Sequence, residues 1–207
     1  NTNILSTKID KLIKNQNVNN DFEIGPESWC SYDYHASVIT GTNNFVLATH
    51  EITGGINDSG YIWTDQTRWS ADTPENPISI LPLIYYRKWM NLGPINLIDS
   101  KISLYLRGDN LQLDGAKCFF WVLYNNTRWH YTDVPLVISE NEWANEPQIF
   151  SLSTDESKWN NSWSIIPDKP ESLLAVITNC ESYGFSFVGF KKEVTGRISI
   201  DQFKITV

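Results

Sequence analysis

Between residues 101 and 107 apolar and polar positions alternate strictly. Ile102, Leu104 and Leu106 fall on one side, and Lys101, Ser103, Tyr105 and Arg107 on the other. A period of two is the mark of a strand with one face buried and one face solvated. Residues 116–124 form a nearly continuous apolar run, as in a strand covered on both faces. Residues 34–40 and 44–52 flank Gly41-Thr42-Asn43 and predict a hairpin. Residues 173–178, 185–190 and 198–207 predict further strands. In the last of these Ile198 and Ile200 share a face, and Phe203, Ile205 and Val207 resume it one residue late. A bulge at Asp201-Gln202 restores the phase. Short strands separated by turn residues, never alternating with helices, predict an antiparallel sandwich or barrel and disfavour a parallel α/β sheet.

One segment has the helical period. Ile4, Leu5, Ile9, Leu12 and Ile13 lie on one face of a helix over 4–14, with Lys8, Lys11 and Lys14 opposite. Asn15 to Asn20 reads as a polar linker, so residues 1–20 are taken as a helix and tether and residues 21–207 as the domain. The 207 residues suit one large core better than two domains. The proline-bearing stretches 72–77 and 91–99 read as loops covering one end or face of the sandwich.

Charge narrows the partners. A net charge of −8 and a pI near 4.8, with no basic stripe, disfavour nucleic acid and anionic membranes. No apolar run approaches the roughly 18 residues of a membrane helix. Cys30, Cys118 and Cys180 form no C-x-x-C pair, so a zinc ribbon or thioredoxin-like site is excluded. Buried thiols are the simple reading, with a Cys118–Cys180 bridge as the alternative. The chain carries no signal peptide and starts abruptly at Asn1; the expectation is a processed or excised module of a larger, secreted or cell-surface protein.

Several catalytic patterns fail on a missing residue. His50-Glu51-Ile52-Thr53-Gly54 lacks the second histidine of a zinc protease. Residues 55–60 have the spacing of a phosphate loop, but Tyr61 stands where the lysine belongs. Gly184 to Gly189 is one residue too long for a nucleophile elbow. No compact carboxylate motif marks a glycosidase pair. The chain is therefore expected not to be an enzyme.

The aromatic load is high, with nine Trp, nine Tyr and nine Phe. Two stretches gather aromatics with polar partners: Tyr61, Trp63, Asp65, Arg68, Trp69 and Asp72 in the first, and Arg128, Trp129, His130, Tyr131 and Asp133 in the second. Flat rings stack on the apolar face of a pyranose, while Asp, Arg and His bond its hydroxyls. Trp63, Asp65, Arg68, Trp69, Arg128, Trp129 and His130 are the candidate ligand-binding residues, read as a loop and a hairpin lining one surface. The competing reading makes the rings core and the arginines loop pins. Trp159 and Trp163 flank a further aromatic loop.

Two terminal motifs carry a family resemblance. Phe22-Glu23-Ile24-Gly25, followed by a Trp, resembles the opening of carbohydrate-binding modules of the galactose-binding-like jelly-roll superfamily. Gly196-Arg197-Ile198-Ser199-Ile200-Asp201-Gln202-Phe203 is similar to their closing strand. The middle matches no subfamily and bears a faint similarity to laminin IV-type sandwiches. The resemblance implies an all-β jelly-roll β-sandwich of two antiparallel sheets and a lectin-like, non-catalytic module that binds a glycan or polysaccharide. It also implies a structural calcium linking first and last strands, with Glu23 and Asp201 as ligands. A structural or protein-interaction sandwich and a glycan-active enzyme are the alternatives. An aromatic groove favours sugar, a broad apolar patch a protein, and two opposed carboxylates an enzyme.

Overall fold

A computed structural model describes residues 5, 16–73 and 79–207. The helix expected over 4–14 lies outside the described residues apart from Leu5, as does most of the loop expected over 72–77. Among the described residues fourteen strands form two sheets: β1 (Val18–Asn20), β2 (Cys30–Tyr32), β3 (Phe45–Leu47), β4 (Thr49–Glu51), β5 (Tyr61–Asp65), β6 (Ser79–Tyr86), β7 (Lys101–Gln112), β8 (Lys117–Tyr124), β9 (Thr127–Leu136), β10 (Ser139–Glu140), β11 (Gln148–Ser151), β12 (Trp159–Ser164), β13 (Ser182–Val188) and β14 (Thr195–Thr206).

The first sheet runs β10-β7-β14-β5-β4, with β1 also on β14 and β11 also on β7. The second runs β12-β9-β8-β13-β6-β2-β3. Pairing is antiparallel except between β10 and β7. This is the expected jelly-roll sandwich. Val18–Asn20 pairs with Phe203–Ile205, so the sandwich begins before Asp21.

The alternation of β7 is observed, with Ile102, Leu104 and Leu106 buried. The bulge in β14 is observed too. Its register against β7 slips between Asp201 and Lys204, and Gln202 sits at φ 50°. Both sheets feed one aromatic core. Trp29 is fully buried and lies 5.0 Å from Phe203 of β14, 5.9 Å from Phe185 of β13 and 5.5 Å from Tyr85 of β6. Its indole N–H donates to the Asn20 side chain at 3.2 Å.

Three expectations are corrected. Tyr34–Thr40 is a helix: the Asp33 side chain accepts from the Ala36 N–H, and Gly41 closes the last turn at φ 69°. Val38 and Ile39 are exposed on it, so their β-branched character misled. Leu173–Thr178 is also a helix, capped by Ser172, and buries Leu173, Val176 and Ile177 at the three- and four-residue spacing. Residues 44–52 are two strands in different sheets: β3 pairs with β2 and β4 with β5. The chain crosses at Ala48, whose N–H donates to the Trp29 carbonyl at 2.9 Å.

The three cysteines are buried and free. Burial pushes the Cys30 and Cys180 thiols up to about 12, so they behave as small apolar groups.

Trp29→Ala is expected to remove about 3–5 kcal/mol of stability, because it empties the contact between the sheets. Denaturant titration read by circular dichroism measures this; a loss below about 1 kcal/mol contradicts a linking role for Trp29.

Candidate functional site

The second sheet has two unlike faces, set by alternation. On β9 Trp129 and Tyr131 enter the core, while Arg128 and His130 turn outward. On β8 Phe120 and Val122 turn inward, and Trp121 and Leu123 outward. On β13 Tyr183, Phe185 and Phe187 turn inward, so the small residues Ser182, Gly184 and Ser186 take the outer face. One cross-strand row there reads Trp163, Arg128, Leu123, Ser182, Tyr86. Gly184 leaves room for the neighbouring indole: a Cβ added there would lie 2.8 Å from Trp121 Cζ2 and 2.2 Å from the Leu83 carbonyl oxygen.

A cavity of about 180 Å³ opens on this face. It is lined by Trp163 of edge strand β12 and by Phe45 of the opposite edge strand β3. Strands stand about 4.8 Å apart, so seven in a flat sheet place their edges almost 30 Å apart. For both edges to line one cavity the sheet must curl, which makes its outer face concave. A second cavity, of about 450 Å³, shares Asn43, Phe45, Tyr86, Leu123 and Asn126 with the first and continues toward Trp89. A third, of about 250 Å³, lies around His130, Asn160 and Asn161. The first two form a groove, and the third lies on the same outer face of the sheet.

One end of the groove is aromatic. Tyr32 and Phe45 have ring centroids 5.4 Å apart, Phe45 and Trp89 4.9 Å, and Tyr86 and Trp89 4.7 Å. These rings are partly exposed, as is Trp163. The floor joins an apolar cluster, Leu81, Ile84, Trp121 and Leu123, to one buried polar group. Arg128 pairs with Asp72, both almost fully buried, and its Nε donates to Ser162 Oγ at 3.1 Å. Burial pulls the Arg128 pKa down, and Asp72 opposes that shift. Ser79 donates its hydroxyl to Asp72 at 2.8 Å. His130 is hydrogen-bonded to Ser186. Burial, reinforced by nearby Arg128, holds its pKa well below the ordinary value of 6.5, so the imidazole is neutral at pH 7.

The structure separates the residues selected from the sequence. Arg128 lines the groove, and His130 lines the third cavity on the same face. Trp129 belongs to the core, with its indole N–H donating to the Glu171 carbonyl at 3.1 Å. Trp69 also belongs to the core, edge-on to Phe187 at 5.6 Å. Trp63, Asp65 and Arg68 sit on the first sheet or its following turn, away from the groove. The Trp63 ring carries two guanidinium groups, Arg68 at 4.1 Å and Arg197 at 3.4 Å from its centroid. The expected loop and hairpin are strands β5 and β9, on different sheets. Sequence reasoning passed over Tyr32, Phe45, Tyr86 and Trp121. The available signal was the alternation inside β8 and β9, which puts Trp121 on the same face as Arg128.

Asp201 is fully buried. Its Oδ2 accepts the Ile56 N–H at 2.7 Å and the Ser59 hydroxyl at 3.3 Å, and its Oδ1 the Gln202 N–H at 2.7 Å. Burial still raises its pKa to about 6, and the nearby negative charge of Glu23 adds to the rise. Glu23 itself is exposed. Asp201 Oδ2 and the Ser59 and Gly60 carbonyl oxygens lie 2.6, 2.7 and 2.8 Å from the place a Cβ on Gly55 would occupy. The backbone therefore packs closely around Asp201, whose two oxygens are taken up by N–H and O–H donors, and the described residues hold no group of three or more His, Cys, Asp or Glu.

Fold and groove together define a jelly-roll β-sandwich with an open, aromatic-edged face. Its structural neighbours are carbohydrate-binding modules. The family 11 module of the cellulosomal cellulase Lic26A-Cel5E of Clostridium thermocellum is 11% identical over 91% of this chain and 93% of that one, with a TM-score of 0.49. The family 11 module from Clostridium thermocellum in complex with a β-1,3-1,4-mixed-linked tetrasaccharide gives 11%, 91%, 94% and 0.47. A family 28 module specific for non-crystalline cellulose gives 12%, 90%, 92% and 0.41. At these values no residue role or ligand transfers. No family model matches the sequence, and no curated protein does.

The buried neutral His130 predicts a pH response. Its folded-state pKa is depressed, so below about pH 6.5 the unfolded chain binds a proton that the folded chain does not. His130 should therefore lower stability as pH drops from 7 to 5. Asp201 contributes in the opposite sense, because its raised pKa of about 6 favours the folded state as pH falls. His130→Gln should remove the His130 part of the melting-temperature profile. Identical slopes in variant and wild type would contradict burial of a neutral imidazole.

Proposed function

We propose that this chain is a non-catalytic carbohydrate-binding module whose glycan lies along the groove of the second sheet. The observation that carries this reading is the set of partly exposed rings, Tyr32, Phe45, Tyr86, Trp89 and Trp163, around the polar side chains Asn43, Asn126 and Arg128. Such rings offer apolar faces to the C–H side of a pyranose, and the amides and guanidinium offer partners to its hydroxyls. An open groove suits a chain longer than one sugar. Among the described residues the carboxylates along it are Asp72 and Glu181. Asp72 is held by Arg128, and Glu181 accepts the Asn125 N–H at 3.2 Å. That arrangement favours binding over acid–base cleavage, which needs an opposed pair with one free acid. Secretion or cell-surface display, as a module of a larger protein, belongs to the same reading.

Trp163→Ala and Tyr86→Ala are expected to weaken polysaccharide binding by about 1–3 kcal/mol each, by analogy with aromatic stacking on nucleic-acid bases, with little change in melting temperature. Trp69→Ala should instead destabilise the fold by about 3–5 kcal/mol. Affinity electrophoresis against a panel of soluble polysaccharides, including mixed-linkage glucan, and pull-down on amorphous cellulose measure the first effect. Absence of binding by the wild type to the whole panel, or folded groove variants that bind like wild type, overturns the reading.

Calcium held by Glu23 and Asp201 is part of the proposal. It is supported by the buried Asp201 carboxylate and by Glu23, whose negative charge acts on it. A cation bound only by the folded state raises stability by linkage. The melting temperature should rise with calcium and fall with chelator, and Asp201→Asn should abolish the difference. A wild-type melting curve indifferent to both overturns this part alone.

A further inference from the structure

The outer face of the first sheet carries a second constellation, on different strands from the groove. Arg197 of β14 stands in register with Asp65 of β5 on one side and Asp109 of β7 on the other. Among the described residues it forms an ion pair with neither. Its guanidinium lies instead on the Trp63 ring, 3.4 Å from the centroid. The register of β14 against β7 slips between Thr195 and Arg197, and Gly196 sits there at φ 102°. A Cβ on Gly196 would lie 2.2 Å from the Asn110 carbonyl oxygen, so this bulge requires glycine. The result is a cavity of about 520 Å³ bounded by Asp65, Gln66, Arg107, Asp109, Asn110 and Arg197.

The neighbours of Arg197 are anchored elsewhere. Asp65 Oδ1 accepts the Thr67 N–H at 3.1 Å and the Thr67 hydroxyl at 2.5 Å. Asp109 Oδ2 accepts Arg107 Nε at 3.1 Å. The Arg107 guanidinium is in turn held between the Tyr61 and Trp143 rings, 4.9 and 4.7 Å from their centroids. Asp65 is thus engaged through Oδ1 and Asp109 through Oδ2, both residues line the cavity, and the Arg197 fork is positioned by stacking and keeps its N–H donors.

Charge decides what suits this arrangement. An anion meets two carboxylates and a cation meets two guanidinium groups. A neutral ligand with adjacent hydroxyls suits both signs: its oxygens accept from Arg197, and its O–H groups donate to Asp65 and Asp109. We propose that this cavity is a second, polyol-binding site, on the face opposite the groove, which takes the vicinal hydroxyls of a pyranose.

The test is a titration of the full chain with the methyl pyranosides of glucose, galactose and mannose, followed by side-chain nitrogen NMR. These three sugars present equatorial and axial neighbouring hydroxyls. The Arg197 Nε and Asn110 amide signals should move and saturate with at least one of them, equally in wild type and in Trp163→Ala. In Arg197→Lys, which keeps the charge and loses the planar fork, the Asn110 response should weaken about tenfold or more. The proposal is overturned if the Arg197 and Asn110 signals stay still or drift without saturation for all three sugars. It is equally overturned if Arg197→Lys responds like wild type, or if Trp163→Ala abolishes the response. The Trp163 indole signal reports the groove separately, so failure here leaves the groove reading standing or falling on its own.

Discussion

Phe203 of the last strand stands against Trp29, Tyr183 and Phe185, and this ring contact couples the two sheets. Rings interlock only when their strands hold one register, because a one-residue slip turns every ring outward. The contact therefore dictates more than the core. Once Tyr183, Phe185 and Phe187 must face inward, Ser182, Gly184 and Ser186 must face outward. Once Phe120, Val122, Trp129 and Tyr131 are core, Trp121, Arg128 and His130 take the outer face. The bulge at Asp201-Gln202 serves the same end, because it returns Phe203 to the inner face after Asp201 has taken its buried position among backbone donors.

The outer face of the second sheet is unusual in burying ionisable groups. Arg128 and Asp72 are desolvated together, and His130 is kept neutral beside them. Removing one partner of such a pair would strand the other, so the pair is a fixed polar element of the floor beneath the partly exposed rings. Placing polar donors on strands and not on loops fixes their positions, which suits recognition of hydroxyl directions. The outer face of the first sheet is organised differently. Its arginines are stacked on Trp63, Tyr61 and Trp143; Arg107 is also held by the Asp109 carboxylate, while Arg197 is positioned by the Trp63 ring.

The sequence by itself determined the all-β class, the inward set of β7, the central position of β8 and the bulge in β14. Each rests on alternation or continuous apolarity, which is local in the chain and survives without knowledge of the partners. It also marked Arg128 and His130, because aromatic and polar side chains mixed in one polar segment are visible locally. Tertiary structure alone decided which aromatic rings are core. Trp69 and Trp163 are chemically the same residue, and only the sheet that covers one and leaves the other partly open tells them apart. It alone decided that the two aromatic stretches lie on opposite sheets, because a short distance along the chain says nothing about which sheet a strand joins. The helices at Tyr34–Thr40 and Leu173–Thr178 escaped for a related reason. Their β-branched residues favour strands locally, while capping by Asp33 and Ser172 and the burial of one helical side override that preference. The groove itself belongs to no segment, since it arises from the curl of seven strands that bring Phe45 and Trp163 to one cavity from opposite edges.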